Sequence, residues 1–146
     1  MINGVKIINI KSNVDNRGYF REIFRPDEIG RTKSIKQISH SFIKKGVIKA
    51  WHVHKKQHQW NYLLKGRIKV SLFDLRKKSK TFKNIYSFEL IGDKSKIAYF
   101  FPPGIAHGYI TKNSENHMIY GTSGYYDIKE EYKIQPTKFE ILNYFK

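Results

Sequence analysis

The chain has no cysteine, which excludes disulfides and thiolate metal sites. No apolar run approaches the roughly 18 residues of a membrane span. The first residues, Met1-Ile2-Asn3-Gly4-Val5-Lys6, lack the apolar core and small-residue cleavage site of a signal peptide. Internal repeats, low-complexity segments and Pro/Gly/Ser linkers are missing as well. Acidic residues are scarce, 12 against 28 Lys and Arg, which leaves a formal net charge of +16 on 146 residues. These features predict a single domain over residues 1–146, long enough to bury a core without staples, soluble and cytoplasmic, with no membrane partner.

So large a positive charge favours capture of an anionic ligand such as a phosphorylated small molecule. The lysines are spread along the chain (Lys44-Lys45, Lys55-Lys56, Lys77-Lys78, Lys80, Lys94, Lys96) and do not gather into an arm or a helix. No helix-turn-helix, zinc-finger or RNA-binding aromatic signature accompanies them. Nucleic acid is therefore not the expected partner.

Helical periodicity is weak. Short runs rich in Ile, Val, Phe and Tyr recur between turn residues, the pattern of an antiparallel sandwich or barrel. Ten strands are expected, at 6–10, 18–24, 36–43, 48–54, 60–65, 67–74, 85–91, 97–101, 107–111 and 116–122. Asp15-Asn16-Arg17-Gly18 reads as a turn between the first two. Pro26-Asp27-Glu28-Ile29 reads as a short helix with proline in its first turn. Segments 129–133 and 136–146 fit no one element. The fold class is all-β, a jelly roll of about ten strands with minor helix around a ligand cavity.

Within it, His52 and His54 sit two apart on one expected strand and so share a face. Gln59 opens the next strand. Pro102-Pro103-Gly104 reads as a turn leading to His107. The spacing Gly46, His52, His54, Gln59, Gly66 resembles the first motif of the cupin superfamily, with Gln59 where metal cupins usually carry Glu. Pro102, Gly104 and His107 resemble its second motif. Two readings follow besides a hydrogen-bonded core: His52 as a general base at near-neutral pH, or a divalent ion held by His52, His54 and His107. The second is weakened by the missing carboxylate. The base is preferred, with no cofactor.

Six segments carry a more specific likeness: 15–22 (DNRGYFRE), 37–41 (QISHS), 46–52 (GVIKAWH), 73–82 (FDLRKKSKTF), 103–109 (PGIAHGY) and 120–126 (YGTSGYY). In order and rough spacing the chain resembles the dTDP-4-dehydrorhamnose 3,5-epimerase family. The resemblance implies a metal-free jelly-roll homodimer acting on a nucleotide-diphosphate 4-keto-6-deoxy sugar in deoxysugar or polysaccharide biosynthesis. It implies His52 as the base that removes the proton α to the C4 ketone, and Tyr125 or Tyr126 as the acid that returns one. It implies Arg17, Phe20 and Glu22, from this subunit or its neighbour, as contacts to the nucleotide diphosphate, and Gln37, Lys49, His54 and His107 as further ligand-binding positions.

The chain departs from that family pattern. A short insertion after the base histidine is missing. Gln59, a candidate catalytic residue that can donate a hydrogen bond but brings no charge, stands where an enolate-stabilising lysine is expected, and Lys49 where an arginine is. The expected aspartate that orients the base has no counterpart, since no Asp follows Asp127; Asp74, Glu22 and Glu89 are the acids considered in its stead. The stretch 52–59 (HVHKKQHQ) is also similar to the HxHKKxxQ of TDP-4-keto-6-deoxyglucose 3,4-ketoisomerases, in which paired histidines shuttle protons. A 3,4-ketoisomerase of the same substrates, a metal-dependent cupin and a non-catalytic nucleotide-sugar-binding cupin are the alternatives to an epimerase. Trp51 and Trp60 are expected in the core or the cavity wall, His40 in the cavity, and Asp74 and Arg76 at a strand end.

Overall fold

A computed structural model describes residues 1–30 and 34–145. Its strands are β1 (Lys6–Asn9), β2 (Ser12–Asp15), β3 (Gly18–Arg21), β4 (Gln37–Lys44), β5 (Ile48–His54) and β6 (Gln59–Lys65), then β7 (Arg67–Asp74), β8 (Ile85–Ile91), β9 (Ile97–Phe101), β10 (Ile105–Thr111), β11 (Glu115–Thr122) and β12 (Glu131–Lys133). Among the described residues helix is confined to α1 (Pro26–Ile29), α2 (Lys138–Glu140) and a π-helical turn, Ile141–Phe145. None of the described helices is long and apolar enough to cross a membrane.

Two five-stranded antiparallel sheets, β1-β9-β6-β11-β4 and β12-β5-β10-β7-β8, face each other as a jelly roll, and β2-β3 forms a separate hairpin. The expected all-β class holds, with two strands more among the described residues than the ten expected. The Asp15–Gly18 turn joins β2 to β3, so the run read as a single strand from 18 is the second arm of a hairpin. β12 was the other omission; three residues are too few for alternation to register.

Alternation along the strands sorts the side chains into layers. Trp51, Val53, Ala106 and Ile110 point out of the second sheet and are buried under the C-terminal turn by Phe145. Trp60, Tyr62, Ala98 and Phe100 point out of the first sheet and pack with Ile29 of α1. Both tryptophans are therefore core, on the far side of each sheet from the interior. The inward rows change character along their length. On β6 and β11 the facing pairs run Gln59–Thr122, Asn61–Tyr120 and Leu63–Met118. The apolar end joins Ile68, Val70, Leu72, Tyr99, Phe101 and Ile105 in the main core. The polar end cannot close over without leaving donors and acceptors unsatisfied, and there the two sheets enclose a cavity.

The strand end at Asp74 is fixed by charge. Asp74 is fully buried and accepts hydrogen bonds from Arg76 Nε and Nη2, each at 2.8 Å, from Ser79 Oγ at 2.6 Å and from Thr81 Oγ1 at 2.7 Å. Burial alone would raise its pKa; the bonds from Arg76, Ser79 and Thr81 outweigh it and hold the carboxyl well below the usual carboxylate range. The folded-state pKa is thus depressed, so its stabilising effect is complete above the unfolded value of about 3.9 and disappears as pH falls through the folded one. Asp74→Asn is expected to cost about 3 kcal/mol at neutral pH, the cost of leaving the arginine without its counter-charge. The difference from wild type should shrink below about pH 4, as read by urea unfolding at pH 7 and pH 3.

Candidate active site

The cavity measures about 370 Å³ and is lined by the inward residues of both sheets. His52 and His54 come from β5, His107 and Tyr109 from β10, Gln59 and Asn61 from β6, Gln37 and Ser39 from β4, and Tyr120 and Thr122 from β11. Tyr126, Asp127, Glu130, Glu131 and Lys133 close it from the C-terminal segment. Lys49 also lines it, although it lies three positions before His52 and strict alternation would turn it outwards. The register explains this. His107 pairs with His52 and Tyr109 with Lys49, so β5 carries one residue more than β10 between the two pairs. That bulge returns Lys49 to the inner face.

The histidines are held differently. His52 Nδ1–H donates to Glu131 Oε1 at 2.5 Å, and both side chains are about a quarter exposed. A carboxylate only accepts, so in the neutral ring the proton sits on Nδ1 and Nε2 carries the lone pair. Nε2 has no hydrogen-bond partner among the described residues. His54 is sealed by comparison: Nδ1–H donates to Glu130 Oε2 and Nε2–H to Gln59 Oε1, each at 2.7 Å, so the ring offers no lone pair. Of the two histidines on β5, His52 is the one able to accept a proton from a ligand.

His107 lies between them and Phe101, its ring stacked on His54 at 5.3 Å and tilted against His52 at 6.0 Å. Burial first, then the neighbouring His54 and His52, push its pKa well below the ordinary histidine range. His107 is a neutral wall of the site. Among the described residues no three His, Asp or Glu side chains converge to hold a metal ion. The set considered for one, His52, His54 and His107, has two Nδ1 atoms already bound to glutamates and two rings stacked face to face.

The carboxylate that meets His52 is none of the expected Asp74, Glu22 or Glu89. Asp74 binds Arg76, Glu89 binds Arg67 at 2.7 Å, and Glu22 lies 3.6 Å from Arg25. The carboxylate at His52 is that of Glu131, on the short edge strand β12. The signal in the sequence is slight: Glu130-Glu131 is an adjacent acidic pair in a chain with only 12 acids. Glu130 has a different duty. Its Oε1 accepts the backbone N–H groups of Lys56 and Gln57 at 2.7 and 2.8 Å. Burial works against its ionisation; those two donors and His54 outweigh it and lower the pKa.

Other expected residues divide between the cavity and the surface. Gln37 lines the cavity and accepts the Tyr126 N–H at 2.8 Å. Of the two candidate acids, Tyr126 lines the cavity. Tyr125 does not, and its carbonyl is held by Gln57 Nε2 at 2.8 Å; both rings are exposed. Gln59 is not free for a ligand, because its carbonyl faces His54 and its amide donates to Asn61 Oδ1 at 2.6 Å. Arg17, Phe20 and Glu22 lie on and after the β2-β3 hairpin, exposed and outside this cavity. His40 turns outwards and meets His117 at 2.9 Å. The twin-histidine shuttle of the ketoisomerases needs a free nitrogen on His54; Glu130 and Gln59 occupy both.

Two rolled antiparallel sheets with a histidine–carboxylate pair at the rim of a polar cavity make this a cupin-type jelly roll equipped for proton transfer. The chain belongs to the dTDP-4-dehydrorhamnose 3,5-epimerase family, a family of isomerases, whose model matches residues 1–142. It is 38% identical over 109 residues to the spore coat polysaccharide biosynthesis protein SpsL of Bacillus subtilis, covering 75% of this chain and 71% of that one. It is 29% identical to the dTDP-4-dehydrorhamnose 3,5-epimerase of Salmonella typhimurium over 134 residues, 87% of this chain and 73% of that one. The crystal structure of a dTDP-6-deoxy-D-glucose-3,5-epimerase from Legionella pneumophila, in complex with dTDP-4-keto-L-rhamnose, superposes with a TM-score of 0.84 at 27% identity, covering 92% of this chain and 74% of that one.

The two glutamates should separate in a stability measurement. Glu130→Ala strips acceptors from two backbone N–H groups and a buried histidine, and is expected to cost about 2–4 kcal/mol at pH 7. Its pKa is depressed, so this loss should fade on acidification below about pH 4.3. Glu131→Ala, in a partly solvated pair, is expected to stay within about 1 kcal/mol of wild type. Urea unfolding of both variants checks this.

Proposed function

We propose that this protein epimerises a dTDP-type 4-keto-6-deoxy sugar, with His52 as the base. The observation that carries this reading is the His52–Glu131 pair, which leaves Nε2 as an unoccupied proton acceptor in a cavity of substrate-group size. A carbon acid beside a ketone is weak, so its base must be fixed in position and its conjugate acid stabilised. Glu131 does both for His52: it fixes the ring tautomer, and it faces the imidazolium that forms when Nε2 takes the proton.

The electrons of the broken C–H bond form the C=C bond of an enolate, and the carbonyl π pair moves to oxygen. Tyr126 then gives its hydroxyl proton to the opposite face of the carbon, which inverts the centre. Solvent exchange returns a proton to the tyrosinate and removes one from His52. His107, kept neutral by burial, packs the base without competing for the proton. Gln59, in place of contacting the sugar, holds His54. The formal charge of +16 draws the diphosphate substrate to the protein.

The functional unit in this reading is a homodimer. The hairpin β2-β3 is tethered at its root, where Arg21 Nη2 donates to Asp93 O at 2.9 Å. Beyond the root, Val14, Arg17 and Phe20 stand free of the body of the chain. A hairpin held at one end, with Arg17 in its turn and an exposed Phe20 on its second arm, suits a role in a neighbouring subunit's site, where Phe20 stacks on the base and Arg17 meets the diphosphate.

Incubation of the protein with a dTDP-4-keto-6-deoxy sugar in D2O should place deuterium at C3 and C5 for a 3,5-epimerase, or at C3 alone for a 3-epimerase, as seen by NMR. No exchange with any such substrate rules the proposal out. Glu131→Gln keeps an acceptor near Nδ1 but removes its charge, and should lower kcat by about 10²–10⁴-fold with little change in dTDP binding.

A further inference from the structure

Enolate chemistry needs a positive group at the developing oxyanion, and the expected position for it, Gln59, is neutral and already bonded on both sides. The charged side chains lining the cavity are Lys49, Lys133, Asp127, Glu130 and Glu131. Among the described residues its permanent cations are thus two lysines. Neither has a hydrogen-bond or ion-pair partner among the described residues.

Register distinguishes them. On β12, Lys133 pairs directly with His52, and Glu131 with His54. Directly opposed antiparallel residues have Cβ atoms about 4.5–5.5 Å apart, so the Lys133 stem starts beside the base. The spacing of two puts Glu131 and Lys133 on one face of β12. Lys49 is paired with Tyr109, on the far side of the β5 bulge from His52. The oxyanion of an enolate forms two bonds away from the carbon that loses its proton. The cation that meets it must therefore be rooted next to the base, and must have the reach and freedom to swing to a ligand. Lys133 meets these requirements: it is adjacent to His52, exposed and unpaired.

Resting on the epimerase reading above, we propose that Lys133 is a catalytic residue whose ammonium donates to the enolate oxygen formed when His52 deprotonates the substrate. β12 then carries the two supports of one step, Glu131 behind the base and Lys133 in front of the oxyanion. The charge bookkeeping balances. The carbanion's negative charge is met by Lys133, the imidazolium's positive charge by Glu131, and the lysine keeps its proton throughout.

The test is the rate of substrate C–H exchange in D2O, followed by NMR, together with dTDP binding by calorimetry, for wild type, Lys133→Met, Lys133→Arg and Lys49→Met. Loss of one preorganised oxyanion donor costs about 10²–10³-fold. Lys133→Met should lose that much in exchange rate at saturating substrate while binding dTDP within about twofold of wild type. Lys133→Arg, which keeps the charge, should recover at least about tenfold of the loss. Three results would overturn the assignment: exchange by Lys133→Met at the wild-type rate; an unchanged kcat with weakened dTDP binding, which makes Lys133 a phosphate anchor; or a greater loss of kcat in Lys49→Met than in Lys133→Met. Failure of wild type to exchange any proton removes the epimerase reading itself and the lysine's assignment with it. Exchange by wild type together with an idle Lys133 removes only the latter.

Discussion

The site depends on the pairing of the three-residue strand β12 with β5. β5 carries the histidines, but alone it offers imidazoles with no fixed tautomer and no counter-charge. When Glu131, Tyr132 and Lys133 pair with His54, Val53 and His52, two carboxylates arrive at the rings together. The pairing continues past both ends of the strand: Lys55 N donates to Glu130 O at 3.0 Å, and Ile134 and Trp51 exchange backbone hydrogen bonds at 2.8 and 2.9 Å. Edge pairing of this sort is seldom strong by itself. Here it is reinforced by Glu130, which seals the turn after β5 through two backbone N–H groups.

The two histidine–glutamate pairs look alike in sequence, i and i+2 against j and j+1, yet differ in physical character. The inner pair, His54 with Glu130, is nearly closed to solvent and saturated with hydrogen bonds, which suits it to holding the backbone. The outer pair, His52 with Glu131, is partly open, with one ring nitrogen to spare. A functional base requires that incompleteness, because a fully satisfied histidine has no lone pair to offer. His107 supplies the contrast: buried behind both, its charged form is disfavoured and it serves as packing.

The cavity is the acidic part of a basic protein. Asp127, Glu130 and Glu131 line it, while the net charge of the whole chain is +16. The two facts are compatible because they act over different ranges. A net positive field attracts anions over about a Debye length. Inside, each carboxylate is matched to a histidine or to backbone donors and presents little free negative charge to the ligand.

The strand pattern, the jelly-roll class and the inward row of His52, His54 and His107 were all legible in the amino-acid sequence, because alternation and turn residues are local properties and carry into three dimensions unchanged. The likeness to the epimerase family was legible for the same reason, as runs of adjacent residues. The partners of those histidines were not. Glu131 meets His52 across 79 positions of sequence, on a strand too short to show a period, and no local signal ranks it above Asp74, Glu22 or Glu89. Lys49 belongs to the inner face because of a bulge that only the β5–β10 register reveals. Gln59 turned from ligand contact to histidine support once Asn61 and His54 stood on either side of it. Local sequence thus determined which side chains share a face, and tertiary structure decided which of them meet, since hydrogen bonding between distant strands depends on register and closure that no single segment contains.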